Sequence, residues 1–217
     1  MIRALVFDFD GLIVDTESAL IAAYAEVHAA HGVAFNEAEF IRTVGHADYD
    51  FDPWHAFEKR ADRLQLEFER RERNRELDLH LPILPGVAEI VEVAEKRGLS
   101  IGLASNSVRA HCERHLARIG LLPRFRFLAC REDVAAPKPA PDLYKLVLDR
   151  FGTTGPQTIA FEDSHSGSLA AKRAGINVVA VPNVSTRYHE LGHADLVLQS
   201  LADTDLDALL ARFSGDP

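Results

Sequence analysis

Cysteine is scarce in this chain, with two among 217 residues, and Cys112 and Cys130 share no CxxC spacing. A disulfide-stapled scaffold is thereby excluded, and a reducing compartment fits best. Basic charge is also short: 24 Lys and Arg face 33 Asp and Glu, for a formal net charge of -9. Such a chain repels polyphosphate unless a strong local basic patch intervenes, so no nucleic acid partner is expected. Long apolar runs are missing as well. Nothing approaches the roughly 18 uninterrupted apolar residues of a spanning helix. The first residues offer Arg3 and then only Ala4 to Phe7 before Asp8, which is shorter than the roughly 7–15-residue apolar region of a signal peptide. The expectation is a soluble, cytoplasmic protein without membrane contact, with a monomer as the default state. Internal repeats and low-complexity tracts are absent too.

What is present is an ordinary globular composition, 47% hydrophobic and 26% charged, in a length suited to one large domain or a domain with an insert. Short apolar runs stand at residues 2–7, 99–104, 125–129, 158–161, 176–181 and 195–198, and helical patterns fill 86–98, 108–120, 140–152 and 166–175. Gly98, Gly120, Gly152 and Gly175 each follow a helical stretch, where a left-handed cap favours glycine. Strand and helix alternating in this way predict a parallel sheet covered on both faces. One interval breaks the rhythm. From about residue 16 to 80 no strand pattern occurs, and "HLPILPG" (80–86) reads as a return hinge. The predicted fold is α/β: a doubly wound, Rossmann-like parallel sheet core (1–15 and 81–217) with an inserted all-helical cap (16–80).

Ligands of such sheets lie beyond the carboxyl ends of the strands, where strand order reverses. The first strand is followed by Asp8, Asp10 and Gly11. Residues two apart in an extended chain face the same side, so both carboxylates point into the crevice. Two acids that close raise each other's pKa unless a cation or donors intervene, which favours a bound metal or a split of roles. The second strand is followed by Ser105, Asn106 and Ser107 just before a helix, which taken alone is more often an ordinary N-cap than an anion site. The third leads to "CREDVAAPKPAPD", where Lys138 is held between Pro137 and Pro139. It is either a rigid connector with a solvated lysine or a lysine fixed for use. The fourth ends on Glu162 and Asp163, of which helix capping explains only one. Together these groups suit a hard cation such as Mg²⁺ with a lysine and a helix N-terminus beside it, a set that stabilises a phosphoryl group in transfer.

The stretches "DFDGLIVDTES", "LASNS", "KPAPDLY" and "FEDSHSGSLAAKRAG" resemble, in order, the four signature motifs of the haloacid dehalogenase superfamily, in its subfamily of phosphatases and beta-phosphoglucomutase-like enzymes. The resemblance spans residues 5 to about 181. It implies a Mg²⁺-dependent phosphatase acting on a small phosphorylated metabolite. Asp8 would be the nucleophile that becomes an aspartyl-phosphate, and Asp10 the acid and then the base. Mg²⁺ would be held by the Asp8 carboxylate, the Asp10 backbone carbonyl and Asp163, with Glu162 a further ligand or a partner behind them. Ser105 and the Asn106 N–H would receive phosphoryl oxygens, Lys138 would offset charge between Asp8 and phosphate, and Asp15 to Glu17 would form the cap hinge.

Within the superfamily, Asp10 argues against dehalogenation, because an ester at carbon needs no protonated phosphate leaving group. Lys59 is the only lysine in residues 16–80 and lies in a mixed-charge stretch, which argues against a cap Schiff base. The rival is a sugar phosphomutase. Its cap lysine and arginine would align with Val44 and Asp48 around Gly45, so the grip on a second phosphate is missing. A non-enzymatic phosphoryl-binding regulator is disfavoured by Asp10 and the cap. Asp50 and Asp52 would disfavour a highly anionic substrate if their loop (46–55) faces the crevice. Arg73, with Asn74, falls where relatives often carry substrate-facing residues. The segment 58–76 holds seven basic and six acidic residues and reads as a solvated helix face. His111 and His115, one turn apart with Cys112 beside them, read as plain helix surface, since no third metal ligand is near in sequence. His165 reads as a loop-structural residue, and His46 has no assigned role.

Overall fold

The structure is a computed structural model that describes residues 1–42, 51–57 and 61–214. Six strands, β1 (Ala4–Phe7), β2 (Ser100–Ala104), β3 (Phe127–Ala129), β4 (Thr158–Glu162), β5 (Asn177–Ala180) and β6 (Leu196–Val197), pair in parallel in the order β3-β2-β1-β4-β5-β6. The apolar runs of β1, β2, β4 and β5 become strands covered on both faces, while the edge strand β6 leaves Val197 exposed. Leu5 and Phe7 of β1 enter one core cluster and Val6 the other, as a two-residue period requires. The first cluster is closed by α4 (Val87–Lys96), α5 (Arg109–Arg118) and α8 (Leu206–Phe213), the second by α6 (Asp142–Phe151) and α7 (His165–Arg173). Phe7, Phe161 and Tyr144 are fully buried, and sealing a side chain of this size contributes roughly 1.5–3 kcal/mol. The chain runs outward from β1 through β2 to β3, then restarts beside β1 at β4. This reversal puts the crevice at the ends of β1 and β4.

Between β1 and α4 lie α1 (Thr16–Ala30), α2 (Glu37–Ile41) and α3 (Arg63–Asp78), with no strand among the described residues. Each begins at a side-chain cap: Asp15 accepts from the Ser18 N–H, Asn36 from Glu39 and Asp62 from Leu64. Their shared core is small. Val27, Trp54, Phe57 and Leu66 form it, with the His28 ring stacked on Trp54 at 5.2 Å. Along α3 run the pairs Arg70–Glu67, Arg71–Glu67, Arg73–Glu76 and Arg75–Glu72, as the near-balanced charges of this stretch lead one to expect, although Arg70 turns inward over the Tyr24 ring; Glu58, Lys59 and Arg60 lie outside the described residues. The two connections between insertion and sheet run side by side: Leu84 N–H donates to the Ile13 carbonyl at 2.9 Å, and Val14 bridges Ile83. No helix among the described residues is long and apolar enough to cross a membrane.

Candidate active site

The β1 ladder continues one residue past the strand, with the Asp8 N–H donating to the Phe161 carbonyl at 2.9 Å. The chain then turns through Gly11, whose φ of 76° suits glycine. A Cβ there would also meet the Asn183 amide at 2.2 Å and the Asp163 carboxylate at 2.7 Å. This turn drops Asp8 into the crevice at 7% exposure, beside Glu162 and Asp163 at the end of β4, which are 0% and 2% exposed. Lys138, itself 7% exposed, is the counter-charge. Its Nζ donates to Asp8 Oδ1 at 2.5 Å and to Glu162 Oε1 at 2.6 Å. The loop that carries it is clamped by Asn106, whose Oδ1 accepts from the Lys138 N–H at 2.9 Å.

Three buried carboxylates and one ammonium leave excess negative charge. Burial raises the Asp8 pKa to about 8, with Lys138 opposing and Glu162 and Asp10 adding to the rise. Burial, together with Glu17, Asp8 and Glu162, pushes Asp163 well above the usual carboxylate range. Lys138 moves the other way: burial alone would lower it, but Asp8 and Glu162 hold it firmly as the ammonium. Asp8, Glu162 and Asp163 each offer an oxygen within 4.8 Å of the others, and Glu162 Oε2 is buried with no hydrogen-bond partner among the described residues. An all-oxygen donor set with uncompensated charge suits a hard divalent cation, so these residues fit Mg²⁺.

Asp10 is held separately. Its Oδ1 accepts from Thr16 Oγ1 at 2.6 Å and His111 Nε2 at 3.0 Å, and its Oδ2 from Ser107 Oγ at 2.5 Å. Burial by itself would raise its pKa, but these donors bring it below the usual carboxylate range. The two acids of β1 are therefore driven apart, Asp8 up and Asp10 down, which is how one site assigns two roles to like groups. The Asp10 carboxylate does not join the carboxylate cluster; only its backbone remains available to an ion.

Of the residues singled out from sequence, Asp8, Lys138, Glu162 and Asp163 meet directly, hydrogen bonds tie Asn106 to Lys138, and Ser107 links Asp10 to Ser105 beside them. Ser105 Oγ accepts from the Ser107 N–H at 3.0 Å, which orders the turn into α5. Arg73 is not brought to this cluster. Its guanidinium pairs with Glu26 and, at 2.7 Å, with Glu76, because carboxylates on α1 and α3 lie nearer than the crevice. Asp52 does not present a bare charge: the Arg63 guanidinium grips both its oxygens at 2.9 and 3.0 Å, and Asp50 lies outside the described residues with His46, Val44 and Asp48. Reading His111 and His115 as plain helix surface is corrected. His115 is 2% exposed, and His111 reaches Asp10, because the face of α5 that follows Ser107 lies against Phe9 at 5.5 and 5.8 Å. His165 is structural, its Nδ1–H donating to the Glu190 carbonyl at 2.7 Å.

Sequence reasoning missed Asn183, whose Nδ2 lies at 2.9 Å from Asp163 Oδ2 and at 3.1 Å from both the Gly11 carbonyl and Glu17 Oε2. Burial, with Asp10 and Asp15 adding, raises Glu17 to about 7 against the opposing hydrogen bond from Asn183. Asn183 follows β5, so the logic applied to the other strand ends would have found it. Tyr144, whose hydroxyl donates to Glu162 Oε1, carried no such signal.

A parallel α/β sheet bearing a buried carboxylate cluster, a fixed lysine and a helix-entry turn at its switch point defines an enzyme of the aspartate-centred hydrolase class. The chain belongs to the haloacid dehalogenase-like hydrolases, whose family model matches residues 5–181. It is 37% identical over 214 residues to "Putative phosphatase YhcW" of Bacillus subtilis, with 97% of each chain covered. Hexitol phosphatase B of Escherichia coli is 32% identical over 215 residues, covering 96% of this chain and 97% of the relative. The crystal structure of CbbY from Rhodobacter sphaeroides in complex with phosphate matches with a TM-score of 0.74 at 28% identity, over 96% of this chain and 99% of that one.

Proposed function

We propose that this protein is a Mg²⁺-dependent phosphatase of a small phosphorylated metabolite, working through an aspartyl-phosphate, with residues 16–80 as a cap over a core of residues 1–15 and 81–217. The observation that carries this reading is the buried Asp8–Lys138–Glu162 chain, with Asp163 beside it. An Asp8 oxygen attacks phosphorus, the bond from phosphorus to the leaving oxygen breaks, and Asp10 delivers a proton to that oxygen. Water then attacks the aspartyl-phosphate, Asp10 takes its proton, and the bond to Asp8 breaks. The three donors on Asp10 favour its ionised form, the form needed for the second half. Lys138 offsets phosphoryl charge, Ser105 and the Asn106 N–H lie at the entry to α5 to receive phosphoryl oxygens, and Glu162 holds Lys138 in place. Asp8, Asp163 and the Asp10 carbonyl, with Glu162 behind them, would hold Mg²⁺, which would further neutralise the phosphoryl group.

The relatives' names point to sugar or polyol phosphates. A cleft of about 680 Å³ between α2 and the loop after β5, bordered by Arg42, Ser185, Arg187 and Tyr188, has room for such a molecule. It opens beside Ser185, whose N–H donates to Asn183 Oδ1 at 2.7 Å. The test is phosphate release from a generic aryl phosphate with and without Mg²⁺. Turnover that needs Mg²⁺ and falls to background in Asp8→Asn is expected; undiminished turnover by that variant overturns the proposal. A mutase would instead require a bisphosphorylated sugar activator and interconvert isomers with little phosphate released.

A further inference from the structure

A second cluster of metal-ligating side chains lies where α3 meets α5. Asp78, the last residue of α3, comes together with His111 and His115 on α5, and each offers a ligand atom within 4.8 Å of the others. Asp78 is 5% exposed and His115 2%. Asp78 Oδ1, Asn74 Oδ1 and His115 Nδ1 are all buried without a hydrogen-bond partner among the described residues. A buried carboxylate with a free oxygen, next to a free amide oxygen, is a surplus of acceptors that a bound cation or a donor would satisfy.

Where that cation belongs is marked by Arg114. Its Nη2 lies 3.3 Å from His111 Nδ1, 3.2 Å from His115 Nε2 and 3.9 Å from Asp78 Oδ2. A single positive nitrogen therefore sits among three lone pairs. The Arg114 side chain is 55% exposed and free to swing away. His111 then has its Nδ1 lone pair on this point while its Nε2–H donates to Asp10 at 3.0 Å. Donation of the second ring N–H to a carboxylate is the arrangement that orients metal-bound histidines.

We infer that Asp78, His111 and His115 form a binding site for a borderline transition-metal ion such as Zn²⁺ or Co²⁺, distinct from the Mg²⁺ site and competed for by Arg114. Two imidazoles and one carboxylate select such ions over Mg²⁺, and a solvent molecule completes four-coordination. Bonds of about 2.0–2.2 Å bring tetrahedral ligands to about 3.3–3.6 Å apart, so ligand atoms that now lie within 4.8 Å of one another draw closer on binding. The ion ties the end of α3 to α5 and pulls on the histidine that steadies Asp10. Its binding inhibits turnover without displacing Mg²⁺; this consequence, unlike binding itself, rests on the role proposed for Asp10.

The test is equilibrium dialysis and visible absorption with Co²⁺ as the probe, on the whole chain in saturating Mg²⁺ and without substrate. One equivalent of Co²⁺ with tetrahedral d–d absorption is expected. His111→Gln should weaken it at least tenfold, Arg114→Ala should bind more tightly than the native chain, and Asp163→Asn should retain the signal. Absence of the absorption in both the native chain and Arg114→Ala, or equal binding by His111→Gln, overturns the inference. So does loss of all Co²⁺ uptake in Asp163→Asn, which would assign the ion to the carboxylate cluster. His111 is only partly buried, so its variant tests the site without the loss of folding that replacement of His115 risks.

Discussion

Glu162 shows how one side chain sets the geometry of the site while standing behind it. One of its oxygens receives Lys138 and Tyr144, and its carboxylate occupies the space where any residue larger than glycine at position 167 would put a Cβ, 2.0 Å from Oε2. Gly167→Ala therefore forces the carboxylate off its seat and Lys138 with it. We expect a loss of about 1–3 kcal/mol from overpacking, read as a lowered urea midpoint, with a larger proportional loss of phosphatase activity. An unchanged midpoint would mean that α7 shifts freely. At this scale Asp8 and the strand-end acids were legible because each follows an apolar run that stops on a polar residue, and Lys138 because prolines flank it. Gly167, Tyr144 and Asp78 were not, because their importance comes from contacts that no local pattern encodes: Tyr144 reaches Glu162 on a neighbouring strand, and Asp78 meets His111 and His115 of another helix.

Among the elements, the helices of the insertion differ most from the rest. The sheet is clamped between two broad apolar clusters, whereas α1 to α3 share a cluster with four buried residues, Trp54 largest among them. Trp54→Ala leaves a cavity costing about 3–5 kcal/mol, more than so small a cluster absorbs. The expected result is accelerated amide exchange throughout α1 and α3, with the amides of β1 and β4 still protected; uniform acceleration across both would show that insertion and sheet unfold as one unit. The element types were legible from periodicity, since strand runs were short and rich in Val, Ile and Phe and helix patterns ended at glycine. Which face of α5 turns inward was not. His111, Cys112 and His115 do not form an apolar stripe, and residues of other elements, Phe9, Asp10 and Asp78 among them, set their surroundings.

For the whole molecule, the excess of buried acid makes stability depend on pH and on divalent cations together. Asp8 titrates near 8 in the fold and near 4 in an unfolded chain. Between these limits the folded protein retains a proton that the unfolded chain has released, so stability falls as pH rises through the window. A cation at the cluster stabilises the ionised form and removes that loss. Thermal midpoints in chelator should decline from about pH 5 to about pH 8, and the increment produced by adding Mg²⁺ should widen over the same range. An increment independent of pH would show that Mg²⁺ acts elsewhere.

The paired connections, with Leu84 bonded to Ile13 and Val14 beside Ile83, have a consequence for how such a protein can change over time. Seen from the sheet, everything between them is one loop whose ends are already joined. Loop-closure entropy grows only logarithmically, so doubling the length of that loop would cost the sheet about 0.6 kcal/mol. The insertion can thus be exchanged wholesale while the sheet, and the carboxylate cluster around Asp8, stays folded.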